Sequence, residues 1–334
     1  MKSNLSGKRI LITGGTGSIG SALVKKSLEL GAKRIKIFSN DENGLYELEK
    51  QYDNNKNLEF LIGDIRDATR VNYIVKGIDV IFHAAALKHV DRCEFNPSEA
   101  ISVNINGTEN IISAALNHKV KKVILISSDK AVNPYGVMGA TKLLGEKLMS
   151  SEALHNKSTI FCSVRFGNVL HSRGSILPLI ENQIMHGGPI TLTNKKMKRF
   201  FMTTKDAVNL IIKAQELAIG GEIFVLKMPI LKLEDLFEAM KEILGPKYGF
   251  KPSKIKTKII GIKPGEKLIE DLLSSYEMKT VYETQDFFII PPFFENGKKL
   301  SYLGAKKAIN PENYFNNLKI LGRSEILKIL KQNY

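Results

Sequence analysis

Four consecutive residues, Ser127-Ser128-Asp129-Lys130, offer two hydroxyls, a carboxyl and an amine, and Met138-Gly139-Ala140-Thr141-Lys142 begins eight residues past that lysine. A carboxyl, an amine and a hydroxyl held together are the parts of general acid–base chemistry. The apolar run Val123-Ile124-Leu125-Ile126 just before them reads as a buried parallel strand. The three groups therefore fall at the carboxyl end of a strand, where open α/β sheets take their ligands. The second group predicts a helix start that presents Met138 and Lys142, four apart, on one face. A solvated Asp-Lys ion pair is the plainer alternative, which the position at a strand end disfavours.

The elements that would place these residues begin at the amino end. Arg9-Ile10-Leu11-Ile12-Thr13 is a short buried strand, and Gly14-Gly15-Thr16-Gly17-Ser18-Ile19-Gly20 leads from it into the helical run Ala22-Leu23-Val24. Gly14, Gly17 and Gly20 allow a tight turn, close approach to a pyrophosphate and close helix–strand packing, and the helix amino end adds free N–H groups. A second strand, Arg34 to Phe38, ends at Ser39-Asn40-Asp41-Glu42. An acid directly at that strand end would bind the ribose hydroxyl of NAD. Ser39 and Asn40 are neutral donors, so NADP is expected, with NAD the alternative. The third strand, Leu58 to Ile62, is followed by Asp64 and Ile65, where Asp64 could accept from an adenine amino group and Asp67 could cap a helix. The fourth, Val80 to His83, ends in Ala84-Ala85-Ala86, small enough to lie against a flat cofactor.

A helix is expected from about 98 to 117, and an asparagine near its middle, Asn104 or Asn106, needs a partner in the core. The sixth strand runs from Thr159 to Phe166. Strands alternating with helices through 166 give an α/β, doubly wound parallel sheet. The expected organisation is a dinucleotide-binding domain over 1–166, completed by a helix–strand unit at 204–226. A smaller lobe follows over 167–290, then a tail over 291–334.

The chain has 334 residues, 43% of them apolar, and a net charge of +15 from 49 basic and 34 acidic residues. The lysines are scattered, which favours a lysine-rich surface over nucleic-acid binding. No apolar run approaches the length of a membrane span, and no signal peptide is read. Cys93 and Cys162 suggest neither a disulfide framework nor a metal site, and the six histidines have no ligand spacing. A cytoplasmic protein is expected.

Several stretches together resemble a known family: Thr13 to Gly20, Ala86-Leu87-Lys88-His89-Val90, Ser128-Asp129-Lys130-Ala131, Gly139-Ala140-Thr141-Lys142, Arg165-Phe166-Gly167-Asn168-Val169, Arg173-Gly174-Ser175, Arg199 to Thr203 and Pro264-Gly265-Glu266-Lys267. They are similar to the extended short-chain dehydrogenase/reductases, and more narrowly to the UDP-N-acetylglucosamine 4,6-dehydratases of capsule, flagellin and protein glycosylation. The resemblance covers about 7 to 275. It implies a redox-neutral dehydration: hydride leaves C4 of the sugar, water is lost across C5 and C6, and the hydride returns to C6. It assigns the C5 base to Lys130 and the acid that protonates the leaving 6-hydroxyl to Asp129, with a bound and recycled nicotinamide nucleotide and a homo-oligomer.

The resemblance further implies substrate contacts from Asn168, Arg173, Arg199, Lys263 and Glu266, the cations facing the UDP diphosphate and Glu266 the ribose, while Lys88 and His89, whose loop follows the fourth strand, are candidates to meet the sugar and protonate C5 from the opposite face. Lys263 stands where an arginine is usual. Met138 stands where most of the superfamily has the tyrosine that takes the 4-hydroxyl proton, and a thioether cannot do that. Asp129, Lys130 or Ser128 through a water are the candidates for that proton. Inversion at C5 is preferred over retention. A different sugar nucleotide or a 4-epimerase is the enzyme alternative, and a catalytically silent NADP-binding sensor the non-enzyme one.

Overall fold

The computed structural model describes residues 4–53, 55–292 and 301–331. Apolar β-branched runs form strands that alternate with helices through the first half. The order is β1 Arg9–Thr13, α1 Ser18–Glu29, β2 Arg34–Ser39, α2 Glu42–Gln51, β3 Leu58–Ile62, α3 Ala68–Val75, β4 Val80–His83, α4 Val90–Phe95, α5 Pro97–Ile101, α6 Gly107–Asn117, β5 Lys122–Ile126, α7 Val137–His155 and β6 Ile160–Arg165. The second half continues with β7 Asn168–Val169, α8 Ile176–Met185, β8 Ile190–Leu192, β9 Lys198–Met202, α9 Thr204–Leu217, β10 Ile223–Leu226, β11 Ile230–Lys232, α10 Leu233–Lys247 and β12 Thr257–Ile259. It closes with β13 Tyr282–Glu283, β14 Phe287–Ile290, β15 Lys306–Lys307, α11 Glu312–Asn316 and α12 Arg323–Lys331.

The large sheet runs β15-β13-β14-β10-β6-β5-β4-β1-β2-β3. From β3 to β10 every pairing is parallel. The chain order reverses between β1 and β4, and ligands of doubly wound sheets sit at that switch point. β14, β13 and β15 extend the other edge antiparallel. The unit at 204–226 thus joins the large sheet through β10. Residues 282–290 and 306–307 return to it as well, which the alternation of the first half does not announce.

β1, β4, β5 and β6 are sealed on both faces: Ile10, Leu11, Ile12, Ile81, Phe82, Val123, Ile124, Phe161 and Val164 have no exposed surface. Both faces are covered because α1 packs beside α9 on one side and α3 beside α6 on the other. Two small sheets, β11-β9-β7 and β12-β8, follow β6. Lys198 N bonds Leu268 O, and Lys267 Nζ bonds Val132 O, so the 263–272 segment is tied both to β9 and to the exit of β5.

The expected helix at 98–117 is interrupted. Residues 102–106 form a π-helical turn between α5 and α6. Such turns re-aim side chains, often at functional sites. Here Asn104 points inward, accepts from Leu87 N at 2.8 Å, and donates to Leu87 O at 3.0 Å and Thr141 Oγ1 at 2.9 Å. The partner required for a mid-helix asparagine is therefore a loop at the end of β4 and the helix that carries Lys142.

Candidate active site

At the switch point Gly14 adopts φ +63°, and a Cβ there would lie 2.7 Å from Ala85 N. A Cβ on Gly20 would strike Gly14 O. Gly17 caps α1 without a side-chain bond, and α1 has no acid in its first turn, so Ser18, Ile19 and Gly20 bring backbone N–H groups to an uncapped helix end. Thr16 Oγ1 meets Ser39 Oγ at 2.9 Å, fixing the glycine turn to the end of β2. Asn40 is exposed, and Asp41 is committed to capping α2 through Gly44 N at 2.9 Å. Asp64 is gripped by Arg66 at 2.7 Å, and that hydrogen bond holds its carboxyl below the usual range. Ile65 is buried against Gly107. Asp67 caps α3 through Arg70 N. Ala84 and Ala85 pack on Gly14, so the uncapped N–H donors of α1 sit beside a backbone that leaves no room for a larger residue.

The acid–base residues sit one strand away. Asp129 opens a single 3-10 turn after β5 and has no exposed surface. Its Oδ1 accepts from Ser128 Oγ at 2.8 Å and from Lys130 Nζ at 3.0 Å, while its buried Oδ2 has no partner. Gly139 lies against Lys130 O, so the first turn of α7 packs directly on this turn. Lys142 Nζ donates to Ile126 O at 2.8 Å, and burial pushes its pKa down to about 8. Met138 is buried with Cys93 and Ala100 in a small apolar cluster. Behind Lys142, His83 lies between Thr13 Oγ1 at 2.7 Å and Thr108 Oγ1 at 3.2 Å. Burial, reinforced by Lys142, pushes its pKa down to about 3.

The residues expected to face substrate divide into groups. Lys88 Nζ donates to Arg173 O, and the His89 ring lies against Gly174, so the 171–175 loop rests on the loop after β4. From there Arg173 N reaches Ser18 Oγ at 2.8 Å, and its guanidinium pairs with Asp41 at 3.2 Å and Glu47 at 3.5 Å. The loop is therefore tied to the start of α1 and to the amino end of α2. Asn168 follows β6, with its side-chain Oδ1 buried and unpartnered. Arg199 is buried and donates from Nη1 to Lys198 O and Leu268 O. Lys263 is exposed, pairs with Asp91 of α4 at 3.5 Å, and gives its N–H to Glu266 Oε2.

Four acids here escape a reading of the sequence. Glu94 Oε1 accepts from Val137 N at 2.5 Å and seats the start of α7. Glu146 takes Ser127 Oγ at 2.6 Å and the fully buried Arg165 at 2.6 Å, and Glu277 closes the same arginine from the other side at 3.0 Å. Glu270, only 4% exposed, brings Oε1 to 3.8 Å from Lys130 Nζ. It follows Lys267 by three residues in a segment with no helical or strand period, so only its nearness to the Pro264-Gly265-Glu266-Lys267 stretch could have pointed to it.

The parallel sheet, with its switch point at the glycine turn and the Asp129–Lys130 turn one strand away, defines the class by its fold, that of the extended short-chain dehydrogenase/reductases. The fold is shared with nucleotide-sugar 4,6-dehydratases and 4-epimerases of known structure at TM-scores of 0.71 and 0.69. The profile described as polysaccharide biosynthesis protein matches residues 10–292, and the chain belongs to that family. It is 48% identical over 327 residues to an uncharacterised membrane protein of Methanocaldococcus jannaschii, covering 97% of this chain and 96% of that one. It is 42% identical over 340 residues to a UDP-glucose 4-epimerase of Rickettsia rickettsii, covering 97% and 95%. The X-ray structure of Pen from Bacillus thuringiensis superposes with a TM-score of 0.89 at 41% identity and 98% coverage of both chains. Among the described residues no helix is long and apolar enough to cross a membrane.

Proposed function

We propose that this protein is a 4,6-dehydratase of UDP-N-acetylglucosamine, forming a UDP-4-keto-6-deoxy sugar for surface polysaccharide or glycoprotein synthesis, with inversion at C5 preferred. The observation that carries the reading is the Asp129–Lys130 pair, buried at a strand end with Asp129 Oδ2 unpartnered. Gly14, Thr16, Gly17, Ser18, Ile19, Gly20, Ser39, Asn40, Asp64, Ile65, Ala84, Ala85, Ala86 and Lys142 would hold a nicotinamide nucleotide, which supplies the hydride acceptor and donor. With Asp41 engaged by Gly44 and by Arg173, a cation rather than a free acid borders the ribose end, which supports NADP over NAD.

Once C4 of the sugar is a ketone, the C5 proton is acidic enough for a neutral amine. Lys130 Nζ takes it, the pair of electrons becomes the C5=C6 bond, and Asp129 protonates the departing 6-hydroxyl. Ser128 Oγ steadies the same carboxyl. Arg199 and Lys263 would supply the diphosphate side, Asn168 and Glu266 the hydroxyls, and Lys88 or His89 the proton that reaches C5 from the opposite face.

The name of the Rickettsia relative favours a second reading, 4-epimerisation. Epimerisation needs no acid at C6 and no base at C5, and so leaves the buried pair without work. Incubating the purified protein with UDP-N-acetylglucosamine and following the mass of the nucleotide sugar separates the two. Loss of one water supports dehydration; an isomer of unchanged mass supports epimerisation. An unchanged substrate would leave a silent nucleotide-binding protein.

A further inference from the structure

Lys130 stands between two carboxyls. Asp129 Oδ1 is at 3.0 Å, and Glu270 Oε1 is at 3.8 Å, a little beyond hydrogen-bond range. Both acids are sealed from solvent, with side chains 0% and 3% exposed, and Lys130 is the more open of the three at 19%. A lone Asp–Lys pair would need only one of these acids. The second makes sense when the protons are counted.

The elimination needs Asp129 protonated and Lys130 neutral at the same moment. A resting ion pair of carboxylate and ammonium that accepts the proton of the 4-hydroxyl becomes a carboxylic acid beside an ammonium, and no base is left. The tyrosine that would otherwise take that proton is replaced by Met138. With a second carboxylate the count closes. The 4-hydroxyl proton goes to Asp129, the ammonium proton of Lys130 goes to Glu270, and Nζ is a free amine.

We propose that Glu270 is the positioning residue that arms Lys130, taking its proton before C5 is deprotonated and giving it up when the cycle ends. This rests on the dehydratase reading. Every atom is then accounted for. The C5–H bond breaks as an N–H bond forms on Nζ. The C6–O bond breaks, and the oxygen leaves as water with the proton held by Asp129. With inversion, C5 is reprotonated from the opposite face, Lys130 keeps the C5 proton as an ammonium beside the Asp129 carboxylate, and Glu270 releases its proton to solvent, which resets the opposite-face donor. With retention, Lys130 returns the proton to C5 and Glu270 gives its own back to Lys130. Glu270 is faced by Asp129 and Lys130 from the turn after β5, by Arg199 from β9 and by Lys267 from its own segment. Burial first, then Asp129, pushes its carboxyl up from the usual range against the three cations, as a group that must accept a proton near neutral pH requires.

The test uses the whole enzyme in D₂O with the 4-keto-6-deoxy sugar nucleotide that keeps the substrate's C5 configuration, whose C5–H faces Lys130 and exchanges without hydride transfer. Glu270→Gln should slow C5 exchange by about 10²–10³-fold at neutral pH, with UDP affinity unchanged. The rate should recover as pH rises and solvent base does the work of the missing carboxylate. With UDP-N-acetylglucosamine the same variant should stall after oxidation, holding reduced nicotinamide on the enzyme. Glu270→Asp, which keeps the acid but draws it back, should fall between Gln and wild type. Wild-type exchange and an unshifted pH profile in Glu270→Gln would overturn the role of Glu270 while leaving the dehydratase intact. A wild-type enzyme that neither releases water nor exchanges C5 would overturn both. If Gln prevents folding, Glu270→Asp carries the test, and unchanged exchange in that variant overturns the proposal.

Discussion

Arg165 and Lys130 each sit between two buried carboxyls, at the ends of neighbouring strands, and the surroundings differ in kind. Arg165 makes five hydrogen bonds, two to Glu146, two to Glu277 and one to Leu272 O, and Ser127 fills the remaining demand of Glu146. The neighbouring carboxylates hold the guanidinium even more firmly protonated than usual, against the pull of burial. Around Lys130 one carboxylate oxygen is unpartnered and the second acid stands off at 3.8 Å. A planar cation that never loses its proton suits a rivet between β6, α7 and the 272–277 segment. An amine with one incomplete neighbour and one distant one suits proton transfer. Burial of charge is common to both centres; how fully the hydrogen bonds are satisfied is what separates them.

The sharpest way to break that contrast is Lys130→Arg. The charge and both carboxyls remain, but a guanidinium cannot become a base, so water loss from UDP-N-acetylglucosamine should fall by about 10³–10⁴-fold with nucleotide binding kept. Product mass and a UDP titration check it, and near-normal turnover would remove Lys130 from the chemistry. The complementary variant, Arg165→Met, strips the rivet and leaves Glu146 and Glu277 facing each other without a cation. Urea unfolding should show a loss on the order of 3–5 kcal/mol. A loss under about 1 kcal/mol would mean that the centre is not structural.

The contrast also shows what was legible in the sequence. Alternation of strand and helix announced the parallel sheet, and the glycine spacing announced its switch point, because both are local patterns. The Asp129–Lys130 pair was legible because it follows a buried strand directly. Glu270, Glu146 and Glu277 were not, since each meets its cation from a different element: 270 and 277 lie in irregular segments, and Glu146 is an ordinary-looking helical acid. The resting place of the Arg173 side chain was not legible for a similar reason. Resemblance sends its guanidinium to the substrate diphosphate, whereas in this structure it rests on Asp41 and Glu47, a long-range pairing with no sequence period. The antiparallel edge made by β13, β14 and β15 depends on the chain returning after about 280, which short strands of two to four residues do not advertise.

Met138 probes whether the lysine centre already has its first base. The side chain is enclosed with Cys93 and Ala100, so Met138→Tyr overpacks the start of α7 and should cost about 1–3 kcal/mol of stability while bringing no gain in turnover. Met138→Ala should lower turnover moderately by loosening the same cluster. Paired melting curves and initial rates check both. A large gain from tyrosine would mean that Asp129, Lys130 and Glu270 do not complete the proton count by themselves.

The smallest effect is a pH dependence of stability that neither cationic centre produces. His83 is held neutral between two threonines with its pKa near about 3, against about 6.5 in an unfolded chain. Its folded value is depressed, so the unfolded state binds more protons between those limits, and the contribution of His83 is intact above pH 6.5 and lost as pH falls. By pH 6 the loss is about 1 kcal/mol, steepening towards about 1.4 kcal/mol per pH unit below that. The arginine centre is silent in this window, because Arg165 stays charged and Glu277 is held below the ordinary glutamate range. Glu222 and Glu270, raised by burial, pull the other way, so the measurement is a difference: urea midpoints of wild type and His83→Asn from pH 7.5 to 5.5. The two curves should converge as the pH falls, the wild type losing more. Parallel curves would mean that His83 is as easily protonated in the folded protein as outside it, and that the threonine pair does not hold it neutral.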